Sequence, residues 1–536
     1  MVNETAADRR QGHRRPQPVD VVFAVLVVVF STATAIAAMR QIPAEDAAML
    51  LRYSDNVGHG FGVVYNPGGE RVDGASDLLF MLAVGGLAAL GITPITGAAL
   101  VNSVALMVLL GCVYTVWRRW GGVSGGWALV PPLLVPIGPA FVFIQLGFAT
   151  VPFAAAAVFA TALMEGWCRN PRPLSYRVLV AISLAVLSLS RLEGFFLAAL
   201  LLAVVLWRRR SVEELVAPVL LLVGIGVAWF AWRWSYFGYP LPNPFYKKGG
   251  GSFYLDSLQP AVKGVVILAF PWIVVQVLSV WVPSLRRIAL GWLIVASAWA
   301  AVWVLLSNEM NYLWRFQYAV VGVLAVAAAS VFPTMRAYFE ARSDIWARGV
   351  PVALVLAMLV AVVWPTSAAL RYHDAGIAAH RTVATALRDI GPGTGGLATT
   401  EAGLVALESG WNVIDLWGLN DKEIAHHGYL GPQQLAQKDI DVIFAHVPHS
   451  STSVSPNDGA GQFLPGWTEM TDPLMCFADA RGYELLAESV VAPDDAYMVL
   501  ADPQYGRAGL LRDRLVELGY SQPSPGTNLV DRGVCQ

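Results

Sequence analysis

A succession of apolar runs, most of about 17 to 25 residues, limits this chain most, because a helix needs roughly that length to cross a hydrocarbon core. The first, residues 20–39, reads DVVFAVLVVVFSTATAIAAM and follows Arg9, Arg10, Arg14 and Arg15. Further runs lie near residues 97–117, 127–145, 150–167, 178–190, 195–207, 216–234, 262–281, 288–306, 316–332 and 349–366, eleven in all. Of the 536 residues, 56% are hydrophobic and 14% charged. Soluble domains average about 45–50% apolar and about 25% charged residues, so the excess here reads as lipid-facing surface.

Charge is informative by position. The first run is too long for a signal peptide and lacks a small-residue cleavage site, so residues 1–19 are expected in the cytoplasm. The clusters Arg118-Arg119, residues 169–177, Arg208-Arg209-Arg210, Arg286-Arg287 and residues 336–348 then fall on the same side. Eleven spans place residues 367–536 outside the plasma membrane. The expected organisation is a polytopic α-helical transmembrane domain over 20–366, with an exported loop at 40–77, followed by an exported α/β domain over 367–536. Residues 78–94 are also apolar, but a crossing there would invert every later cluster, so they read as a juxtamembrane or re-entrant helix. The stretch 178–207 is thin for two passes, and one helix bent at Gly194 also fits. A net charge of −2 with no long basic stripe excludes a nucleic-acid partner.

In the tail, a helical pattern over 377–390 stops at Gly391-Pro392-Gly393. Short β-type runs follow at 396–400, 411–416, 441–446 and 497–500, and a last helix over 510–518 ends at Gly519. Alternating strand and helix signals point to a small α/β domain. Cys112 and Cys168 belong to the apolar runs, whereas Cys476 and Cys535 lie in the tail. In an oxidising compartment that pair is expected to form a disulfide, the alternative being two free thiols. His446 and His449 have a metal-like spacing but no further ligand set, and read as solvated loop histidines. No cofactor is indicated, a divalent cation being left open without a signal for it.

Chemistry is expected in the polar loops. Glu45 and Asp46 follow the first run almost directly, at the membrane–water boundary. A carboxylate there can take a proton from a sugar hydroxyl, or simply favour the start of a helix. Arg52, Arg233, Lys247, Lys248 and Arg315 lie in or beside the exported loops, where they can hold a phosphate or anchor helix ends. Arg191 and Glu193 sit between apolar runs, as an ion pair or as substrate contacts. Trp234, Tyr236, Phe237 and Tyr239 read as an interfacial belt or a sugar-stacking surface.

Several pieces recur in an order that resembles a known family. They are Glu45-Asp46, Leu51-Arg52-Tyr53, Gly58-His59-Gly60, Asn66-Pro67-Gly68, Val72-Asp73-Gly74 and Arg191-Leu192-Glu193-Gly194, then Arg233 through Tyr236-Phe237-Gly238 to Pro242-Asn243-Pro244-Phe245-Tyr246-Lys247. Together they resemble the GT-C glycosyltransferases of actinobacterial type. Within these the chain is most similar to the mycobacterial-type terminal β-(1→2) arabinofuranosyltransferases. It departs from their pattern at Glu45, where Asp is usual, at Asp73, where Glu is usual, and at Ala75, where an aromatic is common. The resemblance implies inverting transfer of arabinofuranose from a polyprenyl phosphate to an envelope polysaccharide such as arabinogalactan or lipoarabinomannan. It implies Asp46, or else Glu45, as base. It also implies donor or substrate contacts at Arg52, Tyr53, Asn66, Arg233, Asn243, Tyr246, Lys247 and Arg315. Thr400-Glu401-Ala402-Gly403 and the stretch Val413-Ile414-Asp415-Leu416-Trp417-Gly418-Leu419-Asn420-Asp421 resemble the exported part of the same broader group, with Asp415 and Asn420 as glycan contacts. A transporter or lipid flippase, and a noncatalytic glycan-binding assembly protein, are the alternatives from other classes.

Overall fold

A computed structural model of the protein describes residues 16–248, 251–342, 363, 367, 376–391, 395–448, 466–492 and 495–523. The N-terminal part is helical. α1 (Pro18–Ala38) leads into α2 (Glu45–Gly58), α3 (Leu78–Ala88), α4 (Pro94–Arg119), α5 (Val130–Leu133), α6 (Ile137–Gln145) and α7 (Thr150–Arg169). α8 (Leu174–Ser190), α9 (Glu193–Arg209), α10 (Glu213–Phe237), α11 (Asn243–Lys247), α12 (Leu258–Val280), α13 (Arg286–Ala301), α14 (Trp303–Leu306) and α15 (Ala319–Glu340) follow.

Seven of the described segments are long and apolar enough to cross a membrane, and Gly125–Leu133, which ends in α5, makes an eighth with α6, bent by 51°, if the two are counted as one span. The bend has a local cause. Pro131, Pro132, Pro136 and Pro139 crowd this stretch, and each removes a backbone donor that a straight helix would use. The remaining three runs of the sequence reading are α8, α9 and residues 349–366, which apart from Val363 lie outside the described residues. α3, at 11 residues, extends only about 16 Å and is too short to span.

α8 and α9, 17 residues each, are separate helices rather than one helix bent at Gly194. Arg191 is extended (φ −154°, ψ 153°), and α9 turns back on α8 so closely that a Cβ on Gly194 would lie 2.1 Å from the Leu187 carbonyl oxygen. α7 and α15 form the centre of the bundle. α15 is the most enclosed of the long helices, with Val320, Val321, Val323, Leu324 and Val326 buried. Small residues line it, which lets helices approach without a hydrophobic driving force from lipid.

The tail builds one five-stranded sheet from β1 (Gly396–Thr399), β2 (Val413–Asp415), β3 (Ile440–Pro448), β4 (Glu484–Ala492) and β5 (Asp495–Ala501). The strand order is β2-β1-β3-β5-β4, with β1 parallel to β2 and β3, and β5 antiparallel to β3 and β4. α16 (Ile377–Ile390), α17 (Leu404–Ser409), α18 (Lys422–His427), α19 (Pro432–Leu435), α20 (Trp467–Arg481) and α21 (Ala508–Glu517) surround it. α16 coincides with the helix expected from sequence. β4 and α20 have no counterpart among the expected elements.

The first loop and the tail share a core. Leu50, Leu51, Tyr53, Tyr65, Phe80 and Met81 pack in one apolar cluster with Val383, Leu387, Leu397, Val405 and Trp411. The loop and the tail therefore lie on the same side of the helical bundle. Cys476, on α20, is disulfide-bonded. Cys535 lies outside the described residues, and its pairing with Cys476 stays a proposal.

Candidate active site

α2 begins at Glu45, with Asp46 in the same first turn, where the unpaired N–H groups of a helix start favour negative charge. Neighbouring residues on a helix point about 100° apart, so the two carboxylates serve different surfaces. Glu45 turns to the tail, accepting hydrogen bonds from the Gly403 N–H, from the Leu404 N–H at 3.1 Å and facing His380 Nδ1 at 3.2 Å. Asp46 turns to a cavity between the bundle and the tail. There it accepts from Arg315 Nη2 at 2.7 Å.

Arg315 is presented by an unusual piece of backbone. Ser307, Met310, Leu313 and Trp314 all have φ between 50° and 64°, which costs each a side-chain clash and persists only where surrounding contacts over-determine it. Asn311 helps to hold the loop, its Nδ2 donating to Asn308 Oδ1 at 2.7 Å and its Oδ1 accepting from the Phe316 N–H at 2.9 Å. The guanidinium lies 4.0 Å from the centre of the Phe148 ring. Only 8% of the Arg315 side chain is exposed, against 21% for Asp46.

The cavity encloses about 1060 Å³ including its mouth. Three acids, Asp46, Asp77 and Glu193, and three bases, Arg191, Lys248 and Arg315, line it among Phe148, Phe245 and Trp303. Arg191 Nη1 lies 2.9 Å from Asp77 and its Nε 2.5 Å from Glu193, so the break between α8 and α9 delivers a cation with its own counter-charges. A wall of this composition suits a ligand with an apolar part and an anionic head, since preformed cations are already oriented.

Other residues singled out from sequence build the frame instead of lining the cavity. Arg52 donates from Nε to the Tyr65 carbonyl at 3.2 Å and from Nη2 to the Trp411 carbonyl at 3.3 Å. Asn66 bonds both polar groups of Val413, extending the sheet's pairing into the loop. The Tyr53 hydroxyl accepts from the Gly74 N–H at 3.1 Å. Asp73 pairs with Arg233, and its backbone carbonyl accepts from the Asn243 N–H at 2.9 Å. Burial pushes the Asp73 carboxyl up to about 6, against the pull of Arg233.

Asp415 closes a turn by accepting from the N–H groups of Trp417, Gly418 and Asn420, with Asn420 Nδ2 as a fourth donor at 2.9 Å. Lys247 and Tyr246 are not among the residues lining the cavity: Lys247 lies over the Tyr429 ring at 3.6 Å and Tyr246 lies against His426 with ring centres 4.4 Å apart. Burial lowers the Lys247 amine to about 8. Asp77 and Ser307 are cavity residues that the sequence reading did not single out. The signal for Asp77 was its place as the last charge before an apolar run.

The architecture has known counterparts. ArnT from Cupriavidus metallidurans bound to undecaprenyl phosphate matches with TM-score 0.58 at 14% identity, over 90% of this chain and 98% of that one. The same protein in its apo state gives TM-score 0.59 at 13% identity, over 92% and 99%. The Archaeoglobus fulgidus oligosaccharyltransferase in apo form gives 0.48 at 12%, over 80% and 70%. Residues 368–501 match a family model described as a domain of unknown function, DUF8728. No curated protein matches by sequence. The chain is thus a polytopic membrane protein of GT-C fold with a C-terminal sheet domain.

Proposed function

We propose that the protein is an inverting glycosyltransferase that moves a sugar from a polyprenyl-phosphate donor to a cell-envelope glycan outside the plasma membrane. The observation that carries this reading is the meeting of Asp46 with Arg315, Arg191 and Lys248 in one cavity at the junction of bundle and tail. The fold shared with an ArnT structure that holds undecaprenyl phosphate supports a lipid-linked donor. Arabinofuranose is the sugar that the loop motifs favour.

In this mechanism Asp46 takes the proton of the acceptor hydroxyl as its oxygen attacks the anomeric carbon from the face opposite the phosphate. The bond from that carbon to the phosphate oxygen breaks, and the configuration inverts. The charge that grows on the departing polyprenyl phosphate is met by Arg315, Arg191 and Lys248, fixed before the reaction begins. Glu45 holds α2 to the tail and stays outside the proton transfer.

Incubating the purified protein with radiolabelled polyprenyl-phosphoryl arabinofuranose and envelope oligosaccharides tests the reading. Asp46→Asn should lower turnover by about 10² to 10⁴, with donor affinity little changed, because that is the usual contribution of a general base. Glu45→Gln should do less. Near wild-type transfer by the double variant would reject this cavity as the site.

A further inference from the structure

A second group of ionisable side chains lies across the seam between α2 and the tail. It draws Glu45 from the first loop, His380 from α16, Glu401 from the turn after β1, and His446 from β3. His380 Nδ1 is 3.2 Å from Glu45 Oε2, and its Nε2 is 3.9 Å from Glu401 Oε2. His446 Nδ1 is 3.2 Å from Glu401 Oε1. The His380 side chain is 5% exposed, Glu401 11%, and Glu45 and His446 14% each. The Tyr497 ring closes one side, 5.0 Å from the His380 ring and 4.2 Å from that of His446.

Among the described residues, neither carboxylate has an ion pair with lysine or arginine, although two carboxylates this enclosed need positive charge nearby. A divalent ion held between them supplies that charge in full. One ligand atom each from Glu45, His380 and Glu401 lies within 4.8 Å of the others. Bonds of about 2.0–2.2 Å in a tetrahedral arrangement require separations of about 3.4 Å, which small side-chain movements reach.

We propose that Glu45, His380 and Glu401 bind a divalent transition-metal ion, zinc by the imidazole and carboxylate donor set, and that the ion clamps the first loop to the tail. Imidazole favours zinc over calcium and magnesium, which take oxygen ligands. His446 is a positioning residue that orients Glu401 by a hydrogen bond to its other oxygen. Three protein ligands leave a fourth position for water. The ion sits on a different face of α2's first turn from Asp46, so this site is separate from the cavity and independent of the transfer reading.

The test uses the full chain in detergent, stripped with a chelator and titrated with zinc against a chromophoric zinc chelator. One zinc per chain should bind more tightly than about 1 μM and raise the unfolding midpoint. His380→Ala and Glu401→Gln should each weaken binding by at least about 100-fold, beyond the 10- to 100-fold typical of outer-shell changes. Zinc-edge absorption of the wild type should show nitrogen and oxygen neighbours with imidazole scattering. Failure of the wild type to hold one zinc, a sulfur-coordinated ion, or undiminished binding in both variants would overturn the site. The wild-type titration and absorption decide the matter even if a variant fails to fold.

Discussion

Adjacent acids on one helix turn illustrate how a single sequence position divides structural from chemical work. The pair Glu45-Asp46 was legible as chemistry, but its division was not, because that depends on Gly403 and Arg315, which are hundreds of residues away. Arg52, Asn66 and Asp415 show the converse. Their side chains resemble ligand-binding groups in sequence, yet each is consumed by backbone partners. Lys247 offers a pH test at this scale. Its folded value of about 8 lies below the ordinary lysine value of 10.5. Below about pH 8 both folded and unfolded chains carry its proton, and the cost of burying the charge is present in full. Between about pH 8 and 10.5 the unfolded chain binds more protons, so this group's contribution to stability rises with pH. The unfolding midpoint of the wild type should climb relative to Lys247→Met from about pH 8 to about pH 10. A flat or falling difference would refute it.

At the scale of elements, apolar run length located α1, α4, α7, α10, α12 and α13 to within a few residues, since lipid imposes a length that sequence must meet, whereas for α15 the run stops at 332, short of the helix end at Glu340. For α2 only a helix start at Glu45-Asp46 was weighed, because its buried apolar residues, among them Ala47, Leu50 and Leu51, are interspersed with charges that serve the seam. β4 was missed because Glu484 and Glu488 interrupt its apolar residues, and α20 because Pro473 lies inside it. Helix contact can be tested at Gly322 on α15. A Cβ there would lie 2.0 Å from Val158 Cγ2 on α7. Gly322→Ala should therefore destabilise the bundle by about 1–3 kcal/mol, the usual cost of overpacking, although alanine is the better helix former. Thermal unfolding in detergent measures this, and an unchanged or raised midpoint would show that α7 and α15 can separate without cost.

For the whole molecule, the shared core of loop and tail fixes their common side, whereas the choice of compartment rests on the arginine clusters. Gln433 in the tail is exposed, and so is Arg210 in the cluster after α9. In intact cells a membrane-impermeant maleimide should label Gln433→Cys and spare Arg210→Cys, with Cys112 and Cys168 replaced by alanine. The reverse pattern would invert the topology and bring the cavity to the cytoplasmic face.

The seam also has a history in time. The Tyr65 hydroxyl donates to the Ala402 carbonyl, a partner 337 residues further along the chain. At about 5–20 residues per second, synthesis of that intervening stretch takes roughly 17–70 s. During this interval the tail partners of Arg52, Tyr65 and Asn66 are still unmade. The seam is consequently completed only after the described membrane helices have been made. A chain cut before residue 395 would keep a full complement of described membrane helices while leaving α2 packed on α3 without its partners in the tail, and its first loop should be the more readily proteolysed.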